Sequence, residues 1–211
     1  MLKISNLSFG FRHQNLFQDL NASIADGEMT HIHGPNGAGK STLVSLIAGT
    51  MSPNSGKIEF FDDDNEEPVA DRNLYIEYLP AEANGLFQKL GALDNLKFWS
   101  ELRGAKKSEQ DLIDALKIWD LDNPLIRNSF SVDKFSTGMK RRLALARLML
   151  SPAPCWLLDE PFYGLDDKAI KLFKDIMSVH LKKGGSIIVV THEVSPISDM
   201  ITGTLALGGR G

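Results

Sequence analysis

Nine consecutive residues, Gly34, Pro35, Asn36, Gly37, Ala38, Gly39, Lys40, Ser41 and Thr42, have a spacing that points to a chemistry before any fold is known. "GPNGAGKST" matches the phosphate-binding loop pattern in full, between a run that reads as a strand and a run that reads as the start of a helix. Its glycines let successive backbone N–H groups turn inward around an anion, and a helix start adds partial positive charge. Lys40 is expected to reach the β- and γ-phosphates of a nucleotide and Ser41 to ligate magnesium, with all nine residues as candidate nucleotide contacts. A second stretch, "CWLLDEP", runs apolar residues into Asp159 and Glu160. A carboxylate at the end of a buried strand is costly unless it meets a cation or hydrogen-bond donors. Asp159 is therefore read as a water-mediated magnesium ligand, and Glu160 as the base that polarises an attacking water. A third stretch, "SIIVVTHE", delivers His192 to the same edge, where it can hydrogen-bond the γ-phosphate or that water. His31 and His33 fall on one face of the strand ahead of the loop and are read as structural. Cys155 is read as a small buried apolar residue.

Such residues need a scaffold that brings strand ends together. Extended segments are expected at 2–9, 20–24, 28–33, 57–61, 74–79, 156–159, 187–191 and 204–207. A helix is expected to open at Lys40, and others over 93–102, 108–119, 136–150 and 166–181, where apolar residues recur at three- and four-residue spacing, as in Ala169, Leu172, Phe173 and Ile176. Short apolar strands separated by helices predict an α/β core on a parallel sheet. The helix-only stretch 86–150 interrupts that alternation and is expected to form a helical subdomain inserted in a single domain, 1–211. "DDDNEEP", 62–68, reads as a solvated turn.

Composition removes several classes. A net charge of −4 argues against a dedicated nucleic-acid binder, whose footprint is strongly basic. One cysteine cannot form an internal disulfide, which fits a reducing cytosolic compartment. "MLKISNLSFG" lacks the basic flank and apolar run of a signal peptide, and no stretch approaches the roughly 18 apolar residues of a membrane span. The expectation is a soluble chain that reaches a membrane only through partners.

Taken in order, these residues resemble the ATP-binding cassette (ABC) ATPases over essentially the whole chain. In that family a signature of the form Leu-Ser-Gly-Gly-Gln starts a helix ahead of the second nucleotide motif, and "FSTGM", 135–139, occupies that place. The resemblance implies a P-loop NTPase core with a mixed sheet, N-terminal antiparallel strands and an inserted helical subdomain, with ATP and Mg2+ bound. It implies that Ser136 and Gly138 bind the γ-phosphate of ATP held on a second copy of the subunit, facing head to tail. It also implies that Phe11 stacks on adenine, with a core aromatic as the alternative, and that Asp166 of "YGLD" communicates between the two sites. The residues agree on their own terms, since Ser136 is a suitable N-cap. Lys140, Arg141 and Arg142 oppose the helix macrodipole, a conflict that a bound phosphate would relieve, while Arg147 is read as solvated.

One position departs from the family pattern. Members carry a glutamine after the strand that follows the first helix; in "EYLPAEANGLF" that place falls on Ala81 or Glu82, and Glu82 is kept as a candidate metal contact. Beside it, Leu86, Phe87, Leu90, Leu93, Phe98 and Trp99 supply enough apolar material for a groove that takes a partner's helix, internal packing being the alternative. The implied function is the ATP-hydrolysing subunit of an ABC transporter, peripheral on the cytoplasmic face of the membrane and coupled to separate integral membrane subunits, with export as the direction. The alternative, a soluble ABC-type ATPase of translation or DNA repair, would resemble two linked cassettes or one split by a coiled coil. "THIHGPNGAGKSTL", "RLMLSPAPCWLLDEP" and "HLKKGGSIIVVTHE" look like the ATPase of the cytochrome c maturation (haem exporter) system, whereas "FSTGMKRR" looks more like the signature of other exporters of the ABC-2 type.

Overall fold

The computed structural model describes residues 1–12, 14–61, 67–82, 85–128 and 130–208, so most of the acidic stretch 62–68 lies outside the described residues. In chain order the elements are β1 (Leu2–Phe11), β2 (Gln14–Ile24), β3 (Met29–His33), α1 (Lys40–Ala48), β4 (Ser55–Phe60), α2 (Arg72–Tyr75), β5 (Ile76–Leu79), α3 (Ala92–Leu102), α4 (Glu109–Ile118), α5 (Pro124–Asn128), α6 (Thr137–Leu150), β6 (Cys155–Asp159), α7 (Asp167–Lys182), β7 (Ser186–Val190) and β8 (Gly203–Ala206). Antiparallel and parallel pairing occur together, divided between two sheets. The first is three-stranded in the order β2-β1-β4, and the second five-stranded in the order β5-β6-β7-β3-β8. All pairs in the second sheet are parallel.

Period-two alternation along β6 decides which layer each residue joins. Cys155 and Leu157 face a core shared with α1 and the antiparallel sheet, together with Ile32, Leu43, Leu46 and Phe17. Trp156 and Leu158 face the opposite core, built with α4, α6 and α7 from residues such as Leu116, Leu145 and Phe173. A sheet covered on both faces explains the uninterrupted apolar runs in β6 and β7. Cys155 is buried, and desolvation pushes its thiol up to about 12.

Two local differences from the sequence expectation have visible causes. The strand expected over 74–79 begins only at Ile76, because Arg72–Tyr75 form a helical turn whose N-cap Asp71 accepts from the Asn73 N–H at 2.9 Å. Helix α5, absent from the expected elements, has Pro124 at its first position, and Asn123 ahead of it accepts from the Leu125 N–H at 2.9 Å. From Ala92 to Leu150 the described residues contain helices and turns only, and α6 packs against β5 and α7 as well as against α3 and α4. Among the described residues no helix is long and apolar enough to cross a membrane.

Candidate functional site

The carboxyl ends of β3, β6 and β7 lie side by side, the edge at which open α/β sheets bind ligands. The glycine loop leaves β3 there. Gly34 has φ 155°, and a Cβ on it would sit 2.5 Å from the Leu207 carbonyl oxygen, so only glycine fits beside β8. Gly39 has φ 89°, and its added Cβ would meet the Phe17 ring at 2.8 Å, which seats the β1–β2 hairpin against the loop. No side chain caps α1, whose first N–H groups therefore face the loop unpartnered by any cap. The Lys40 ammonium donates to the carbonyls of Gly34 at 2.9 Å and Pro35 at 3.1 Å, folding its side chain back over the loop.

Asp159 ends β6 at 4% exposure, and its Oδ1 has no hydrogen-bond partner. Burial raises its pKa, and the Glu160 charge adds to that, against a Ser41 hydrogen bond and the charges of Arg141 and Lys40. Glu160 follows in the left-handed region at φ 45°, its N–H donating to the Val190 carbonyl at 2.8 Å. Its Oε2 accepts from the Thr191 hydroxyl at 3.1 Å and the His192 N–H at 3.3 Å. Its Oε1 lies 3.7 Å from Nε2 of the exposed His192. His31 lies 3.2 Å from the Thr191 carbonyl, its ring centroid 5.7 Å from that of His33.

The basic stretch of α6 does something the sequence did not suggest. Arg141 is buried and donates to the carbonyls of Pro80 at 2.8 Å, Asp159 at 3.1 Å, Glu160, and Pro161 at 3.1 Å. Burial lowers its pKa to about 10, which leaves the guanidinium charged at neutral pH. Arg142 pairs with Asp166 at 2.8 Å and approaches Asp120 at 3.6 Å. Two of the three cations near the start of α6 are thus matched inside the chain, which corrects the expectation that a bound phosphate relieves all three. Arg147 is corrected more sharply: at 4% exposure it donates to the Tyr78 carbonyl at 2.8 Å, pairs with Glu77 at 3.3 Å and lies over the Trp99 ring. Ser136 caps α6, accepting from the Met139 N–H at 3.2 Å. Gly138 lies under the 163–166 turn, where an added Cβ would meet the Gly164 carbonyl at 3.0 Å. Asp166 caps α7 through the Ala169 N–H at 2.9 Å.

The profile of the ABC transporter family matches residues 17–163. The chain belongs to that family. The cytochrome c biogenesis ATP-binding export protein CcmA of Bartonella henselae is 38% identical over 178 residues, 84% of this chain and 81% of that one. Its counterpart from Mannheimia succiniciproducens is 32% identical over 97% of this chain and 94% of its own length. A solved ATP-binding subunit of an ABC transporter superposes with a TM-score of 0.84 at 29% identity, covering 98% of this chain and 85% of that one. This is an ABC-type ATPase with the cassette fold.

The remaining candidate residues of this ABC cassette divide by exposure. Phe11 is 54% exposed, edge-on to Phe9 at 5.2 Å, and lines a cavity of about 460 Å³ with Ser8, Arg12, Asn15 and Phe17, so the core-aromatic alternative is set aside. Glu82 is exposed on the turn after β5, and among the described residues no group of three or more His, Cys, Asp or Glu could hold a metal. Three residues at the site were missed by sequence reasoning: Thr191, His31 as a partner of its carbonyl, and Arg141. For Arg141 the sequence carries no separate signal, since it stands between Lys140 and Arg142, neither of which is buried.

Proposed function

We propose that this ABC ATPase drives export in cytochrome c biogenesis, as a homodimer on separate membrane subunits at the cytoplasmic face. The observation that carries the ATP site is the convergence at one sheet edge of the glycine loop, the unpartnered Asp159 Oδ1 and the oriented Glu160 carboxylate. The export assignment is supported by the relatives named above, and the dimer by the exposure of Ser136, at a helix start outside the loop that holds Lys40. The single domain 1–211 would carry 86–150 as its helical subdomain.

Magnesium fits the residues present. Asp159 and Ser41 offer hard oxygen ligands, and the buried orphan Oδ1 of Asp159 wants a cation. Ser41 directly and Asp159 through a water would hold the ion, with Glu82 as a further candidate contact, and the ion would supply Lewis-acid polarisation of the phosphates. Lys40 exchanges the Gly34 and Pro35 carbonyls for β- and γ-phosphate oxygens, and the rest of Gly34 to Thr42 offers N–H groups and hydroxyls. Glu160 Oε1 and His192 Nε2 flank the place offered to the attacking water, and Glu160 takes its proton. Phe11 receives adenine, Ser136 and Gly138 the γ-phosphate on the second copy, and Asp166 lies between the two sites. The membrane subunits dock beside the turn after β5, where Phe87 and Phe98 are 41% and 40% exposed with ring centroids 4.5 Å apart; Leu86, Leu90, Leu93 and Trp99 lie further inside.

Glu160→Gln tests the reading. Turnover should fall by about 10²–10⁴-fold, the span expected for loss of a general base, while ATP binding persists and an ATP-dependent dimer accumulates in light scattering. In cells lacking the chain, the wild type should restore mature cytochrome c and the variant should not. Normal turnover by the variant removes Glu160 from the chemistry, and undiminished cytochrome c without the chain removes the export assignment.

A further inference from the structure

We propose that Thr191 is a positioning residue for the base: its hydroxyl proton holds one oxygen of the Glu160 carboxylate and thereby aims the other at the water. The inference rests on the reading of Glu160 as the base. Thr191 follows β7 at 5% exposure, and two contacts fix the sense of its hydroxyl. The Glu193 N–H donates to Thr191 Oγ1 at 3.0 Å, so the oxygen accepts there. The single hydroxyl proton then goes to Glu160 Oε2 at 3.1 Å, since an ionised carboxylate can only accept. The His192 N–H reinforces the same oxygen at 3.3 Å. Oε1 is left facing His192 Nε2 at 3.7 Å, on the open side of the sheet edge.

The turn is fixed from behind as well. His31 Nε2 lies 3.2 Å from the Thr191 carbonyl, and a carbonyl only accepts, so the ring carries its proton on Nε2. Burial lowers the His31 pKa, which keeps the ring neutral near pH 7 and still able to donate that proton. The backbone of Glu160 is pinned independently, by its own N–H on Val190 and by Arg141 on its carbonyl. What remains free in Glu160 is the side chain, and Thr191 and the His192 N–H are what restrain it.

Thr191→Val keeps the branched shape and removes the proton. The expected result is a fall in kcat of about 10–100-fold, the cost of a displacement near 1 Å, with the KM for ATP changed less than about 3-fold. Thr191→Ser restores the donor and should recover turnover to within about 3-fold of wild type. Should the valine variant melt early, Thr191→Ala carries the same expectation without a methyl against the turn. In a Glu160→Gln background Thr191→Val should cause no further loss, because it acts through a base that is already gone. Wild-type turnover by Thr191→Val with Glu160→Gln slow overturns this inference alone, as do equal losses in the valine and serine variants or an additive loss in the double variant. Normal turnover by Glu160→Gln overturns the base itself.

Discussion

Helices α1 and α6 each start beside a glycine, Gly39 and Gly138, and they begin differently. α1 starts behind Gly39 with no side-chain cap, and its buried face is wholly apolar: Leu43, Val44, Leu46 and Ile47. α6 starts behind Ser136, which caps it, and its buried face includes Arg141 and Arg147 among the leucines and alanines. The first arrangement leaves N–H groups for a ligand and asks nothing else of the helix than to stay packed. In the second, the helix start is partly satisfied from within, and the guanidinium groups hold carbonyls of three neighbouring segments: Tyr78 and Pro80, Gly85, and Asp159 to Pro161. In the proposed function α1 receives phosphate. α6 is built so that any tilt of it is felt at the base and at the turn after β5.

The anchoring side of this contrast gives the largest expected effect. Arg147→Ala leaves Glu77, 1% exposed, with Arg103 at 3.0 Å and Ser151 at 2.8 Å as its remaining partners. Breaking a buried pair from one side costs about 3–5 kcal/mol, and the retained Arg103 puts the expectation near the lower end. The urea midpoint checks it. A loss below about 1 kcal/mol would mean that the leucines alone hold α6, and the contrast with α1 would lapse.

The same contrast shows what the sequence makes legible. β6 and β7 are legible because a strand buried on both faces has to be apolar throughout, and the carboxylates that end β6 break that run abruptly. The glycine loop is legible because its spacing is tied to backbone conformation: Gly34 and Gly39 occupy places where a Cβ would collide. β2 is longer than expected, Gln14–Ile24, because an edge strand rich in Asn, Gln and Asp shows little alternation. The arginines of α6 are misread because charge is assigned to the surface by default, whereas the carbonyls at strand ends form a polar interior that a guanidinium can satisfy. Thr191 goes unread for a related reason: a β-branched residue closing an apolar strand looks like the strand's last residue, and its hydroxyl partner is 31 positions away.

The receiving side gives a smaller effect and a sharper discrimination. Lys40→Ala removes a charged donor, and loss of hydrogen bonds to a charged group costs about 1.5–3 kcal/mol, or about 10–100-fold in ATP affinity. On the proposal that Ser136 meets the phosphate of the second copy, Ser136→Arg should leave the affinity of the isolated subunit unchanged within about 3-fold while abolishing hydrolysis. Nucleotide fluorescence at low protein concentration separates the two. Equal weakening by both variants would place the two helix starts on one site in cis, and the distinction between receiving and reporting helix would be lost.

The smallest effect isolates the cap from the phosphate. Ser136→Ala removes the side-chain acceptor for the Met139 N–H, and loss of such a cap costs about 1 kcal/mol. Ser136→Asp keeps an acceptor and places a negative charge at a helix start crowded by Lys140, Arg141 and Arg142, which favours the fold by about 0.3–1 kcal/mol through the macrodipole and those cations. Thermal melting should therefore rank the aspartate variant at or above wild type and the alanine variant below it. Hydrolysis should place the aspartate variant below both the alanine variant and wild type, because a carboxylate at the cap repels the γ-phosphate that a hydroxyl or a bare helix start would accept. If the aspartate variant hydrolyses ATP as fast as wild type, the start of α6 meets no phosphate, and Ser136 is a cap and nothing more.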